Sequence, residues 1–202
     1  MKIVAVSQRI DTCPENNEVR DALDQRLLDF LLTAGYLPVP VPNRLQAREP
    51  DDQTLTQWLA HIRPQAIVLS GGNDVGSVQL RDLTESKLLE YARHEGQPVL
   101  GICRGMQMMA VHAGGKLYRV DGHVRSRHQL IGETARNVNS YHRLALSAPP
   151  AGFEVVARSS DGTIEAIRHT FLPWEGWMWH PEREAVFDTE DLSRIRSLFG
   201  AP

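Results

Sequence analysis

Two cysteines occur in this 202-residue chain, and one of them, Cys103 in PVLGICRGMQ, stands where a nucleophile would be built. Val99, Leu100, Gly101 and Ile102 precede it and MQMMAVHA follows, which places the thiol on a turn from a buried strand into a helix. G-I-C-R-G has the spacing of a nucleophile elbow, in which small residues flank a group forced onto a tight turn. A helix N-terminus there favours thiolate over thiol. A thiolate that attacks a carbonyl needs a proton carrier for the leaving group. His180, in WEGWMWHPE, is the candidate acid and base, and Glu182, two residues further along an extended segment, points the same way and can hold the imidazole. Backbone amides of Gly72, in SGGND, and of Arg104 are placed to donate to the oxyanion of such a reaction. Cys13 lies in the polar stretch DTCPENN with no base at motif distance, and is read as incidental.

Those groups must be carried to one place by the elements around them. KIVAV reads as a first buried strand, and the spacing of apolar residues from Glu18 to Ala34 predicts a helix ended by Gly35. LPVPV, with two prolines, is confined to a sheet edge. TLTQWLAHI reads as a helix before the apolar run AIVLS, and another helix from about Thr84 to His94 leads to PVLGI and the Cys103 helix, which stops at Gly114 and Gly115. This alternation implies an α/β architecture, a mainly parallel sheet with helices on both faces, whose reactive groups gather at the carboxyl ends of strands. Beyond Lys116, LALSA, FEVVARS, TIEAIRH and WEGWMWH read as strands and Asp191 to Phe199 as a last helix. The stretch from Val120 to Asn137 reads as a long loop. Trp174, Trp177 and Trp179 read as core and as a barrier to water before His180.

Composition narrows the class. Residues 1–202 are expected to form one domain able to bury its own core. A net charge of −3 gives no sign of a nucleic-acid surface, and the apolar run at the N-terminus is too short for a signal peptide or a membrane span. A cytoplasmic protein with two free thiols, no cofactor, and no nucleic-acid or membrane partner is expected; oligomeric state is left open.

The order SGG, GICRGMQ, HPE resembles the class I glutamine amidotransferase family along nearly the whole chain. The resemblance implies a flavodoxin-like fold and a Cys103, His180, Glu182 triad acting through a glutamyl thioester, with oxyanion amides from Gly72 and Arg104. It also implies that Gln107, one helical turn past the nucleophile, binds the glutamyl part of a small-molecule substrate. Where glutaminase subunits of the family read glycine, glycine, proline, this chain reads SGGND, similar to the branch that hydrolyses gamma-glutamyl compounds. Gly71 and Asn73 are therefore substrate-binding candidates. NSYH likewise resembles that branch's glutamate-recognition segment, which adds Ser140, Tyr141 and His142. Within the branch, SQR, EVRDAL, SGGND and MWHPERE look most like the members of capsule polysaccharide biosynthesis that hydrolyse gamma-glutamyl-CDP-amidate to glutamate and cytidine diphosphoramidate.

A nucleotide conjugate needs cations near its phosphates, for which Arg9, Arg20, Arg125 and Arg127 are the candidates. His123 and His128 are metal-ligand types, but no third ligand stands at a useful spacing, so no metal is expected. Three alternatives stay open: a glutaminase subunit that supplies ammonia to a partner synthetase, a hydrolase of another gamma-glutamyl amine such as gamma-glutamyl-aminobutyrate, and a non-catalytic binding module.

Overall fold

The computed structural model describes residues 1–46 and 53–202. The chain opens with β1 (Ile3–Ser7) and a hairpin, β2 (Arg9–Cys13) and β3 (Glu18–Ala22). Alternation follows: α1 (Gln25–Ala34), β4 (Leu37–Val41), α2 (Thr54–Ile62), β5 (Ala66–Leu69), α3 (Gln79–Glu95), β6 (Val99–Ile102) and α4 (Arg104–His112). The second part is a run of strands, β7 (Leu117–Arg119), β8 (Val124–Gly132), β9 (Asn137–Tyr141), β10 (Leu144–Leu146), β11 (Phe153–Ser159), β12 (Ile164–His169) and β13 (Trp174–Trp177), closed by α5 (Thr189–Phe199).

A nine-stranded sheet in the order β4-β1-β5-β6-β13-β12-β11-β8-β9 forms the centre. The strands from β4 to β13 run parallel, and from β13 outward each neighbour is antiparallel. LPVPV is β4, at the sheet edge, where a proline can be tolerated because one side of the strand needs no partner. Each central strand buries both faces. Val4, Val6, Val68 and Leu100 meet α1 and α5, while Ala5, Ile67, Leu69 and Val99 meet α2, α3 and α4. That two-sided burial is why these strands read as unbroken apolar runs.

Three expectations are corrected. Glu18–Ala22 is a strand, and the helix begins only after Asp24, whose side chain accepts from the Arg26 amide at 2.9 Å. Val19, spaced as a helix-face residue, is instead 69% exposed on a hairpin that no core covers. The stretch from Val120 to Asn137 is no loop, because its middle is β8, paired with β9 and β11. Its sequence, VRSRHQLIG, hides the strand because ladder hydrogen bonds rather than alternating apolar burial hold it. Finally, α3 starts at Gln79 rather than near Thr84, and the added turn carries Arg81 and Asp82. Among the described residues, no helix is long and apolar enough to cross a membrane.

Candidate active site

Cys103 joins β6 to α4 with φ 51° and ψ −105°, a left-handed conformation costly to any residue with a Cβ, by about 1–3 kcal/mol. Its amide donates to the Trp177 carbonyl of β13 at 2.7 Å, which holds the turn against the sheet. The elbow glycines answer to contact. A Cβ on Gly105 would lie 2.1 Å from the Leu69 carbonyl oxygen, and one on Gly101 would lie 2.6 Å from the Gly105 backbone. Helix α4 therefore presses directly onto β5 and β6, and the thiol projects from the carboxyl end of the sheet with 6% exposure.

Beside it lies a buried ionic network. The Arg104 guanidinium turns back to pair with Asp82 and Glu85 of α3, while its Nε donates to the Asn73 carbonyl at 3.1 Å. Arg81 donates to Glu85 at 3.0 Å and to the Ser70 and Gly71 carbonyls at 2.7 and 3.0 Å, and Ser7 Oγ completes Glu85 at 2.8 Å. Burial pulls the Arg81 pKa down to about 10 and that of Arg104 to about 9, so both remain cations at neutral pH, balanced by two carboxylates. Asn73 clamps the next segment in, accepting from the Ile10 amide at 2.9 Å and donating to its carbonyl at 3.0 Å. The SGGND turn, the β2 hairpin and the start of the nucleophile helix are thus one unit.

His180 leaves β13 and opens a single 3-10 turn, Pro181–Arg183. Its Nδ1 donates to Glu182 Oε1 at 2.6 Å, and both residues are buried. Burial opposes a charged imidazole, yet the charges of Cys103 and Glu182, with hydrogen bonds to both, override it and lift the His180 pKa to about 10. Asn139 on β9 grips the His180 backbone, accepting from its amide at 2.9 Å and donating to its carbonyl at 2.8 Å. The ring edge faces Tyr141 at 5.7 Å between centroids, and Gly71 is needed opposite, since a Cβ there would sit 2.7 Å from His180 Cε1. Trp174, Trp177 and Trp179 are buried as expected, the last two stacked at 5.4 Å.

A cleft of about 410 Å³ opens over Cys103 and His180, lined also by Gly72, Asn73, Arg104, Gln107, Tyr141 and His142. Gln107 is held there by donation to the Leu144 carbonyl at 2.9 Å. Other expected residues lie elsewhere. Ser140 is buried with its hydroxyl on the His123 carbonyl at 2.8 Å. Arg9, paired with Asp11, lines a small adjoining recess with Gly71 and His180. Arg20 pairs with Glu18 out on the hairpin, Arg127 with Glu184 at 3.0 Å, and Arg125 sits at a bulge of β8; none of the three lines the cleft. The cations at the cleft are instead Arg143 and Arg183, the latter over the Tyr141 ring at 4.6 Å. Neither was distinguishable from a solvated surface arginine by spacing. Asn139 was likewise missed as a positioning residue, although it stood in NSYH. The expectation that His123 and His128 lack a third ligand is also corrected, since the fold brings His142 and Glu165 to them.

The family model for class-I glutamine amidotransferases matches residues 21–193. The chain belongs to this family. This glutamine amidotransferase is 32% identical over 190 residues to the gamma-glutamyl-CDP-amidate hydrolase of Campylobacter jejuni, with 90% of each chain covered. It is 28% identical over 148 residues to the glutamine-hydrolysing subunit of GMP synthase from Thermococcus kodakarensis, covering 68% of this chain and 77% of the other. Among solved structures, a GMP synthase subunit from Thermoplasma acidophilum superposes with a TM-score of 0.73 across 99% of this chain and 94% of that one; at 18% identity the likeness is one of fold.

Proposed function

We propose that this glutamine amidotransferase acts alone as a hydrolase of a gamma-glutamyl amide, with gamma-glutamyl-CDP-amidate as substrate and glutamate and cytidine diphosphoramidate as products. One observation carries the reading: Cys103 and the His180–Glu182 pair meet at a cleft that also bears Arg143 and Arg183, cations suited to a diphosphate-bearing leaving group. The Cys103 thiolate attacks the gamma-carbonyl, and the Gly72 and Arg104 amides receive the oxyanion. The His180 imidazolium gives its proton to the departing nitrogen, leaving a glutamyl thioester and a neutral imidazole. That imidazole takes a proton from water, which attacks the thioester and releases glutamate. Glu182 keeps the ring in its working tautomer, and Gln107 and Tyr141 flank the glutamyl part.

The likeness to the glutamine-hydrolysing part of GMP synthase supports a second reading, a glutaminase that supplies ammonia to a partner synthetase. Glutamate release by the purified chain separates the two, measured with glutamine, gamma-glutamyl-aminobutyrate and gamma-glutamyl-CDP-amidate. The expected result is preferential cleavage of the CDP-amidate, lost on the order of 10⁴-fold or more in Cys103→Ala. Slow cleavage of glutamine alone would replace the hydrolase reading with the second, and undiminished turnover by Cys103→Ala would refute both.

A further inference from the structure

Behind the cleft wall lies a cluster that the proposed chemistry does not use. His123, just before β8, His128 on β8, His142, just after β9, and Glu165 on β12 bring one ligand atom each within 4.8 Å of the others. The Glu165 side chain is fully buried, and neither of its oxygens has a hydrogen-bond partner among the described residues. Its Oε1 lies 3.4 Å from His123 Nδ1, 3.6 Å from His128 Nε2 and 3.5 Å from His142 Nε2, and the His123 and His142 nitrogens are 3.2 Å apart. Contacts to Glu165 at that range are too long for good hydrogen bonds. They do match the ligand-to-ligand edge of a tetrahedral zinc site, about 3.3 Å for bonds of about 2.0 to 2.1 Å.

The outer partners point the same way. His123 Nε2 donates to Asp161 Oδ2 at 2.8 Å, and His142 Nδ1 donates to the Leu144 carbonyl at 3.1 Å. Each bond places the ring proton on the far side and leaves a bare lone pair facing Glu165 and the other histidine. Two lone pairs at 3.2 Å beside a buried carboxylate repel unless a cation lies between them. A carboxylate or backbone carbonyl behind each ligating imidazole is the usual second layer of a metal site. Three imidazoles and one carboxylate suit a borderline cation rather than calcium or magnesium.

We propose that this cluster is a structural zinc site, with His123 Nδ1, His128 Nε2, His142 Nε2 and Glu165 as its four ligands. It ties β8, β9 and β12 together behind the substrate cleft. It also fixes the Leu144 carbonyl that His142 shares with Gln107. The test is metal content of the purified chain after exposure to zinc, followed by cobalt(II) exchange, in wild type, His128→Ala, Glu165→Gln and Cys103→Ala. About one equivalent of zinc and the visible bands of four-coordinate cobalt are expected in wild type and Cys103→Ala, and neither in the two cluster variants. Chelation should lower the wild-type Tm by roughly 10 °C and leave Glu165→Gln unmoved. A wild type that takes up no zinc has a proton in place of the metal and overturns the proposal. So does zinc retained by both cluster variants, or lost with Cys103, which would place it on the catalytic thiol.

Discussion

The two sides of the cleft hold their reactive residues by different means. On the Cys103 side, covalent geometry does most of the positioning. Strand β6 feeds helix α4 through a single strained residue, and the glycines beside it exist because a Cβ would strike the backbone of β5 or of the turn itself. The charges behind it balance, with Arg81 and Arg104 against Asp82 and Glu85. On the His180 side no tight turn dictates where the ring goes. Its backbone hangs from the Asn139 amide, its ring from Glu182, and the strand carrying Asn139 is itself backed by a cluster of histidines around one carboxylate. A nucleophile built into a turn is set by neighbours in sequence, whereas a base hung from hydrogen bonds depends on residues some forty positions away.

The largest expected effect breaks the closed network. Glu85→Ala removes the carboxylate that serves Arg81, Arg104 and Ser7, leaving two buried guanidinium groups underpaired. A loss of about 3–5 kcal/mol in urea unfolding is expected; a loss below about 1 kcal/mol would mean that water or Asp82 replaces it, and the contrast with the histidine side would dissolve. On that other side, Asn139→Ala withdraws both clamps from His180. It should cost about 1–3 kcal/mol, read as a kcat lowered by roughly tenfold or more with KM little changed. A change in KM alone would make Asn139 a substrate ligand instead.

The smallest effect sharpens the link between the two sides. Folding raises the His180 pKa from 6.5 to about 10, through the charges of Cys103 and Glu182 acting against burial. Because the folded value is the higher one, the resulting stability is complete below 6.5 and drains away as pH rises towards 10. Wild type should therefore lose more Tm across that window than Cys103→Ala, in which the leading charge that raises the pKa is gone. Parallel curves for the two proteins would uncouple the thiol from the imidazole.

Much of this molecule was legible before its structure. The parallel core showed itself in unbroken apolar runs, because strands covered on both faces have no polar positions to alternate. Cys103, Gly72, His180 and Glu182 were found by local signals, a turn with small flanks and a two-residue extended spacing. Strand β8 and the hairpin were misread because their pairing is stabilised by backbone ladders, which leave little trace in hydrophobic periodicity. Arg143 and Arg183 escaped notice since nothing in an exposed arginine's neighbours says which cleft it borders.

What the amino-acid sequence determined by itself was the order of elements and the residues that fit a turn, since propensity, periodicity and steric size act between near neighbours. Tertiary structure alone decided which distant polar groups would share a buried space: Asn139 with His180, Arg104 with Glu85, and Glu165 with three histidines. Burial makes those meetings consequential, because a polar group removed from water must find its partner wherever the fold has placed one.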